Sequence, residues 1–392
     1  MDIHTKAVHI GDRKKPPAEI PVTTPIYTAA SYISAKTEDL DRIFAHELEG
    51  CSYARYGTPT ASALEELVTS LEGGHGSLAC ASGMVALEIA VLTALLGRPK
   101  SVLAAEAIYG ATINLFLRVF EPLGVAVRYV DMYDLAAVER AIAESRPGCV
   151  IMETISNPCL RVGDIARIAQ LAKAAGAALL VDNTFATPLL VRPLELGANF
   201  SVHSLTKYLA GHGDVLGGIV VCDEPHFEPM RTLARTYGPL LGAFEAYLAM
   251  RGIKTFPLRM ERQCANAVRV AQWLGRHPRV ERVVFPGDPA HPDAATIARL
   301  FAPGLYGAMV AFTVKGAARQ DIFAFMDRLK LVVRATSLGD VHSMILYPVI
   351  SSHREMPPDQ RDRLGITENL VRLSVGIESP DDITADLAQA LA

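Results

Sequence analysis

Short, largely apolar runs alternate with amphipathic helical stretches through the middle of the chain, and this alternation limits the possible folds most strongly. Because these runs are apolar at most positions, we expect both faces of the predicted strands to be buried. Buried strands separated by helices form a mostly parallel sheet that helices cover on both sides. We therefore predict a large α/β domain with strands at 101–105, 125–130, 149–153, 178–182, 200–203 and 218–222.

The two ends of the chain differ from this central part. A chain of 392 residues exceeds one ordinary core and predicts two domains. Prolines at 16–17 and 21–25 disfavour regular structure, so residues 1–48 are predicted to form an extended arm that lies on a neighbouring subunit. The large domain follows at 49–245, and residues 246–392 are predicted to form a smaller C-terminal α/β domain.

Composition excludes several classes of function. Hydrophobic residues make up 50% of the chain and charged residues 20%, which is typical of a folded protein with large cores. A formal net charge of -4, without a dense Lys/Arg run, predicts no binding of nucleic acid or of a membrane surface. No apolar run has the length of a membrane span, and the N-terminus lacks the plan of a signal peptide. Six scattered cysteines without a CxxC pair predict a reduced, cytoplasmic protein.

The strongest chemical signal is a lysine that follows two hydroxyl side chains and precedes several glycines. Lys207 comes shortly after the predicted strand at 200–203, with Ser204 and Thr206 before it. A lysine that forms an imine must be partly desolvated, and nearby hydroxyls can bond a phosphate. A surface lysine at the start of a helix would have the same local sequence, so this motif alone leaves both interpretations open.

Two other segments favour a phosphate-bearing cofactor with a cationic ring. Asp182 ends an apolar run, and a buried carboxylate needs a cationic partner such as a protonated pyridine nitrogen. An aspartate that caps the following turn would look the same. Ser82-Gly83-Met84 precedes an apolar helix, whose first N–H groups can bind phosphate, but it matches neither a Walker loop nor a GxGxxG fingerprint. Because ligands bind beyond the carboxyl ends of parallel strands, Asp182 and Lys207 are both candidates for one site.

Together these residues resemble the Cys/Met-metabolism family of pyridoxal-phosphate (PLP) enzymes, which includes cystathionine γ-synthase, cystathionine γ-lyase, methionine γ-lyase and the O-acetylhomoserine sulfhydrylases. The resemblance rests on Ser204-Leu205-Thr206-Lys207-Tyr208, Val181-Asp182-Asn183-Thr184 and Leu373-Ser374-Val375-Gly376-Ile377-Glu378, and it runs nearly end to end. It implies the fold-type I PLP-dependent transferase fold with PLP as the cofactor. It also implies a homotetramer built as a dimer of dimers, and a small amino acid as the substrate.

The resemblance implies roles for individual residues. Lys207 would carry PLP as a Schiff base and shuttle protons, and Tyr109 would stack on the ring and protonate a leaving thiolate. The other implied cofactor contacts are Asp182 at the pyridine nitrogen, Asn157 near the phenolic oxygen, Gly83, Met84, Ser204 and Thr206 at the phosphate, and Tyr53 and Arg55 at the phosphate of the neighbouring subunit. The implied substrate contacts are Arg372 and Ser337 at the carboxylate and Thr336 beside them.

The branch of the family depends on a few positions. Cystathionine lyases commonly carry a glutamate just before the serine matched by Ser337, whereas this chain has Thr336, which favours methionine or a homologue. Two departures point away from methionine γ-lyase: Ala111 stands where those enzymes typically have a cysteine, and residues 341–348 replace the usual sequence. His342 in that stretch is either a polar contact near the site or a structural histidine.

We therefore expect γ-elimination of methionine to methanethiol, ammonia and 2-oxobutanoate. Three alternatives stay open: elimination from cystathionine, γ-replacement as in cystathionine γ-synthase or the O-acetylhomoserine sulfhydrylases, and a binding protein that keeps the fold without turnover. A metal enzyme that uses His203 and His212 is disfavoured because these histidines lack ligand-like spacing, so no metal is expected.

Overall fold

The large sheet of the protein is mostly parallel, as the apolar runs predicted. In the computed structural model, which describes residues 19–45 and 47–392, its strands are β1 (Gly76–Cys80), β2 (Ser101–Ala105), β3 (Ala126–Val130), β4 (Cys149–Glu153), β5 (Ala178–Asp182), β6 (Phe200–Ser204) and β7 (Gly218–Cys222). They follow the order β1-β7-β6-β5-β4-β2-β3. β7 runs antiparallel to both neighbours, and the other pairs are parallel.

The sequence prediction missed one strand of this sheet. β1 contains Gly76, Ser77 and Ala79, and Leu78 is its one large apolar side chain, so it lacks the longer apolar run that marked the other strands. All five of its residues are nevertheless buried, because β1 pairs with β7 and is covered by helices. Because most residues of β1 are small, its hydrophobicity alone did not predict a strand of the core.

A second, smaller sheet forms the C-terminal part of the chain. Its strands are β8 (Val280–Val284), β9 (Met309–Val314), β10 (Val333–Arg334), β11 (Met344–Leu346) and β12 (Leu370–Ser374), in the order β10-β11-β12-β9-β8. β10 pairs with β11 in parallel, and the other pairs are antiparallel. The domain boundaries at 49–245 and 246–392 stay a prediction.

Helices cover both sheets. Helix α2 shows how the sequence sets their ends: the Thr58 side chain accepts from the Ala61 N–H at 3.2 Å, Pro59 takes the first position, and Gly73 ends the helix with φ +69°. The α-helices are α1 (Thr37–Phe44), α2 (Pro59–Glu72), α3 (Gly83–Leu95), α4 (Gly110–Leu115), α5 (Leu135–Ser145), α6 (Ile165–Ala174), α7 (Thr187–Leu190), α8 (Glu224–Tyr237), α9 (Ala243–Ile253), α10 (Phe256–Leu274), α11 (Ala294–Leu300), α12 (Arg319–Arg328), α13 (Pro358–Arg363) and α14 (Pro380–Leu391).

The predicted arm is not extended throughout. Helix α1 interrupts it, and none of the residues of α1 is buried. The hydrophobic side chains of Ile20, Val22 and Ile33 are also largely exposed. The part of the arm at residues 1–18, with its first prolines and the N-terminus, lies outside the described residues.

Two further expectations from the sequence concern membrane spans and the state of the cysteines. Of the described helices, none combines the length and the apolar character that a membrane crossing requires. All six cysteines are free thiols.

A buried arginine of α10 fixes the segment that follows β6. Arg259 donates to the carbonyl oxygens of Tyr208 at 2.8 Å and Leu209 at 3.0 Å. Gly211 has φ +71°, and a Cβ there would lie 1.8 Å from Nη1 of Arg259, so this turn requires glycine. Because the segment begins at Lys207, the contact helps to set where that lysine leaves the sheet.

Replacing Arg259 with methionine should destabilise the protein strongly. The substitution leaves several buried carbonyl oxygens without a donor, and we expect the free energy of unfolding to fall by about 3 kcal/mol. Urea unfolding followed by the fluorescence of Trp273 in α10 measures this. Arg269→Met in the same helix is the control, because Arg269 forms an exposed pair with Asp381, worth less than about 1 kcal/mol. Equal urea midpoints for the two variants would contradict the role of Arg259.

Candidate active site

A cavity of about 470 Å³ opens where β4, β5 and β6 end. These strands are parallel neighbours, so Glu153, Asp182 and Ser204 at their carboxyl ends meet at one edge of the sheet. Lys207 reaches the same cavity from the turn after β6. The opposite wall includes Arg372 of β12, so both sheets contribute to the site. The cavity thus lies at the sheet edge that the sequence predicted.

The amine of Lys207 is held inside the cavity and partly desolvated. Its Nζ donates to Oγ of Ser337 at 2.8 Å. Burial, together with the positive charge of Arg372, lowers the pKa of Lys207 to about 8. A substantial fraction of the amine is therefore neutral near physiological pH, which a nucleophilic lysine requires.

Asp182 faces the cavity from the carboxyl end of β5. Its Oδ1 accepts from the backbone N–H of Thr184 at 2.9 Å, and within the described residues it forms no ion pair. Burial raises the pKa of its carboxyl group, whereas the hydrogen bonds from Thr184 oppose the shift. A cationic group of a ligand would stabilise this carboxylate.

The first turn of α3 forms the end of the cavity that suits an anion. Ser82 caps the helix through a bond from the Val85 N–H at 3.2 Å, and Gly83 and Met84 line the cavity. A Cβ on Gly83 would lie 3.0 Å from Cβ of Ser204, so glycine allows α3 to approach the end of β6 closely. Helix N-termini with free N–H groups bind phosphate.

Thr206, predicted to bind the same phosphate, is engaged elsewhere in this structure. It lines the cavity, but its hydroxyl donates to the carbonyl oxygen of Gly217 at 3.2 Å and accepts from the Gly217 N–H at 3.1 Å. The predicted contact of Thr206 with a phosphate stays a prediction.

Arg372 is a buried guanidinium without a carboxylate partner in the part of the chain that the structure describes. Its Nη1 donates to Oδ1 of Asn157 at 2.7 Å, its Nη2 donates to the carbonyl oxygen of Ser337 at 3.3 Å, and its Nε has no partner. Burial lowers its pKa to about 10, so it stays cationic at neutral pH. Such a group can bind a ligand carboxylate through two parallel hydrogen bonds.

Tyr109 lies at the start of α4 and lines the cavity. Its backbone N–H donates to Oε1 of Glu153 at 2.7 Å. Burial raises the pKa of the phenol, and the charge of Arg372 opposes the shift only in part. The hydroxyl group is therefore protonated at neutral pH and can act as a proton donor.

Comparison with known proteins identifies the family. The family model for Cys/Met metabolism PLP-dependent enzymes matches residues 4–392. The chain belongs to this family. It is 39% identical over 388 residues to O-succinylhomoserine sulfhydrylase of Pseudomonas aeruginosa, covering 99% of the chain and 94% of that protein. It is 42% identical over 375 residues to L-methionine gamma-lyase of Pseudomonas putida, covering 94% of the chain and 92% of that protein.

Solved structures support the same assignment. The crystal structure of cystathionine gamma-lyase from Lactobacillus plantarum, complexed with L-serine, superposes on the present structure with a TM-score of 0.86 and is 35% identical in sequence. The match covers 93% of the present chain and 92% of the cystathionine gamma-lyase chain. The expected fold-type I architecture is confirmed. The protein is thus a PLP-dependent enzyme of carbon–sulfur elimination or replacement, and its substrates are small amino acids.

The residues around the cavity fit PLP. An amine stands at Lys207, an unpaired carboxylate at Asp182, and a helix N-terminus at Gly83, which suit the aldehyde, the pyridine nitrogen and the phosphate of the cofactor. Tyr109 supplies an aromatic side chain beside them. Among the described residues, no group of three or more His, Cys, Asp or Glu side chains is arranged to hold a metal ion.

Tyr53 and Arg55, predicted to act at the neighbouring subunit, do not line the cavity of their own chain. The guanidinium of Arg55 lies 5.0 Å from the ring centre of Tyr56 and 5.8 Å from that of Tyr53. It also donates to the carbonyl oxygen of Arg235. Their role at a neighbouring subunit stays a prediction.

The three positions on which the choice of substrate depends do not all lie in the cavity. Thr336 lines the cavity, whereas Ala111 and His342 do not. The side chain of His342 is 63% exposed and contacts Oδ1 of Asp340 at 3.1 Å. The position of His342 therefore favours the structural interpretation over a contact in the site.

Sequence reasoning missed several residues of the cavity wall. Glu153 ends an apolar strand just as Asp182 does, so the same rule on strand ends could have found it. The apolar residues carried no comparable signal, because buried leucines and phenylalanines occur throughout the core. They are Leu87, Ile155, Phe185, Leu216, Leu338 and Leu346.

The lowered pKa of Lys207 predicts how PLP loading depends on pH. We expect the rate at which the apoprotein binds PLP to rise between pH 7 and pH 9 with a midpoint near 8, because only the neutral amine reacts. Visible absorbance of the protein-bound cofactor measures this rate. Lys207→Ala should stay colourless, and Lys254→Ala at an exposed position should behave like the wild type. A rate still rising steeply at pH 10 would contradict the prediction.

Proposed function

We propose that the protein catalyses γ-elimination of L-methionine to methanethiol, ammonia and 2-oxobutanoate. The observation that carries this proposal is that the cavity wall includes the neutral Thr336 together with the apolar Leu338 and Leu346. A thioether with a terminal methyl group suits such a wall. The 42% identity to an L-methionine gamma-lyase supports the same choice.

The charges of the cavity disfavour longer, charged substrates. Cystathionine carries a second amino group, which would need an acidic partner at the far end of the cavity. The acidic residues of the lining are Glu153 and Asp182: Glu153 accepts backbone N–H bonds with both oxygens, and Asp182 is proposed for the pyridine nitrogen. The cations of the lining, Lys207 and Arg372, are likewise used, so none of the described residues that line the cavity remains to pair with the succinyl carboxylate of O-succinylhomoserine.

Each polar residue has one proposed task. Asp182 pairs with the pyridine nitrogen of PLP, which when bound supplies an electron sink for the substrate's Cα–H bond. Arg372 binds the substrate carboxylate, and Ser337 orients the amine of Lys207 from 2.8 Å. That amine would hold PLP, and in its free form it would take protons from Cα and Cβ of the substrate, as loss of the γ-thiolate requires. Tyr109 donates a proton to the leaving thiolate.

The phosphate site and the assembly are proposed together. Gly83, Met84, Ser204 and Thr206 contact the phosphate from within the chain, with Asn157 near the phenolic oxygen. Tyr53 and Arg55 complete the phosphate site of a neighbouring subunit in a homotetramer, which their position outside their own cavity supports. A cytoplasmic location is supported by the six free thiols.

A substrate panel tests the reaction. We expect the highest kcat/KM with L-methionine among methionine, cystathionine, homocysteine, O-acetylhomoserine and O-succinylhomoserine. Measuring 2-oxobutanoate with and without an added thiol separates elimination from replacement. Turnover of cystathionine alone, or consumption of an O-acylhomoserine only when a thiol is present, would reject the proposal in favour of a lyase for cystathionine or a sulfhydrylase.

Substitution of Thr336 tests the specificity argument directly. Thr336→Glu should shift the ratio of kcat/KM for cystathionine over methionine upwards by at least about tenfold, because it adds an acidic partner for the distal ammonium. Thr336→Gln has nearly the same shape without the charge and should leave the ratio almost unchanged. Equal shifts in the two variants would show that side-chain size, not charge, sets the preference at this position.

A further inference from the structure

A buried carboxylate lies at the centre of the cavity wall without a place in the proposed chemistry. Glu153 ends β4, is 7% exposed and stands directly beside Asp182 of β5 in the parallel register. Burial and the negative charge of Asp182 raise the pKa of its carboxyl group, whereas the N–H groups of Tyr109 and Asn157 oppose that shift. Two neighbouring acids removed from water are unfavourable, so a carboxylate here needs such interactions to offset its cost.

Each oxygen of this carboxylate accepts a backbone N–H from a different loop. Oε1 of Glu153 accepts from Tyr109 at 2.7 Å, in the loop that follows β2. Oε2 accepts from Asn157 at 2.9 Å, in the loop that follows β4. One side chain thereby joins two loops that are separated by more than forty residues of sequence.

The second loop continues the connection to the small sheet. Oδ1 of Asn157 accepts from Nη1 of Arg372 at 2.7 Å. Arg372 also donates to the carbonyl oxygen of Ser337, whose hydroxyl accepts from Lys207. A continuous set of hydrogen bonds therefore runs from Glu153 to the amine of Lys207.

We propose that Glu153 is a positioning residue that sets the separation between the phenol of Tyr109 and the guanidinium of Arg372. The proposal rests on the proposed function only in that the cavity binds PLP and the carboxylate of an amino acid. A glutamine cannot replace the carboxylate, because its single oxygen satisfies one N–H and its NH₂ group faces the other. Tyr109 and the loop of Asn157 would then shift relative to each other.

The test is Glu153→Gln in the PLP-loaded enzyme, with two measurements. Visible circular dichroism of bound PLP follows the placement of the ring beside Tyr109. The dissociation constant of glycine, from the absorbance change of PLP, follows the placement of Arg372. We expect a clear loss of the dichroic band and about tenfold weaker glycine binding, equivalent to ~1.4 kcal/mol. Because glycine has no leaving group, the result does not depend on which sulfur amino acid is the substrate.

Asp386→Asn is the matched control. The carboxylate of Asp386 is also buried and accepts backbone N–H groups of Lys330, Leu331 and Val332 at 2.9, 2.9 and 2.8 Å, but it does not line the cavity. Asp386→Asn should lower the unfolding temperature and leave the dichroic band and glycine affinity unchanged.

The same comparison can overturn the proposal. If Glu153→Gln lowers the unfolding temperature while the dichroic band and the glycine affinity stay as in the wild type, Glu153 is structural only. If the glutamine variant does not fold, Glu153→Asp replaces it, since the shorter carboxylate reaches only one of the two N–H groups. Weaker glycine binding and a reduced dichroic band in Glu153→Asp support the proposal, and wild-type values reject it.

Discussion

The parallel pairing of β4, β5 and β6 is the constraint on which the rest of the site depends. Parallel strands end at the same edge of a sheet, and here that edge carries Glu153, Asp182 and Ser204. Lys207 follows one turn later, and α3 places its N-terminus against Ser204 through Gly83. A different pairing of these three strands would scatter the acid, the amine and the anion-binding helix end over the surface.

Charge is distributed unequally around this edge. Arg372 is buried and Asp182 is partly buried, and neither has an ion-pair partner among the described residues, while the pKa of the Lys207 amine is lowered to about 8. Each condition costs folding free energy, and each is offset when a ligand with the complementary group binds. These groups therefore lower the stability of the protein without ligand, and they form a site that is complementary to a cationic ring at one end and a carboxylate at the other.

Periodicity located most of the fold because it reports burial on both faces of a strand. It found the strands rich in large apolar residues and missed β1, whose mostly small residues are buried as fully. Periodicity did not predict that β7 runs antiparallel, because the direction of a strand does not affect its composition. Helix α1 was missed because it follows a proline-rich stretch and buries none of its residues.

The sequence by itself determined the cofactor and the family, because Lys207, Asp182 and their neighbours form short local motifs whose spacing along the chain is visible. Only the tertiary structure decided how the site is held together. Glu153 reaches Tyr109 across 44 residues, and Arg372 reaches Asn157 across 215. The first contact joins neighbouring strands of the large sheet, and the second joins the two sheets; no local pattern encodes either. The same packing keeps Thr336 in the cavity and leaves His342 outside it.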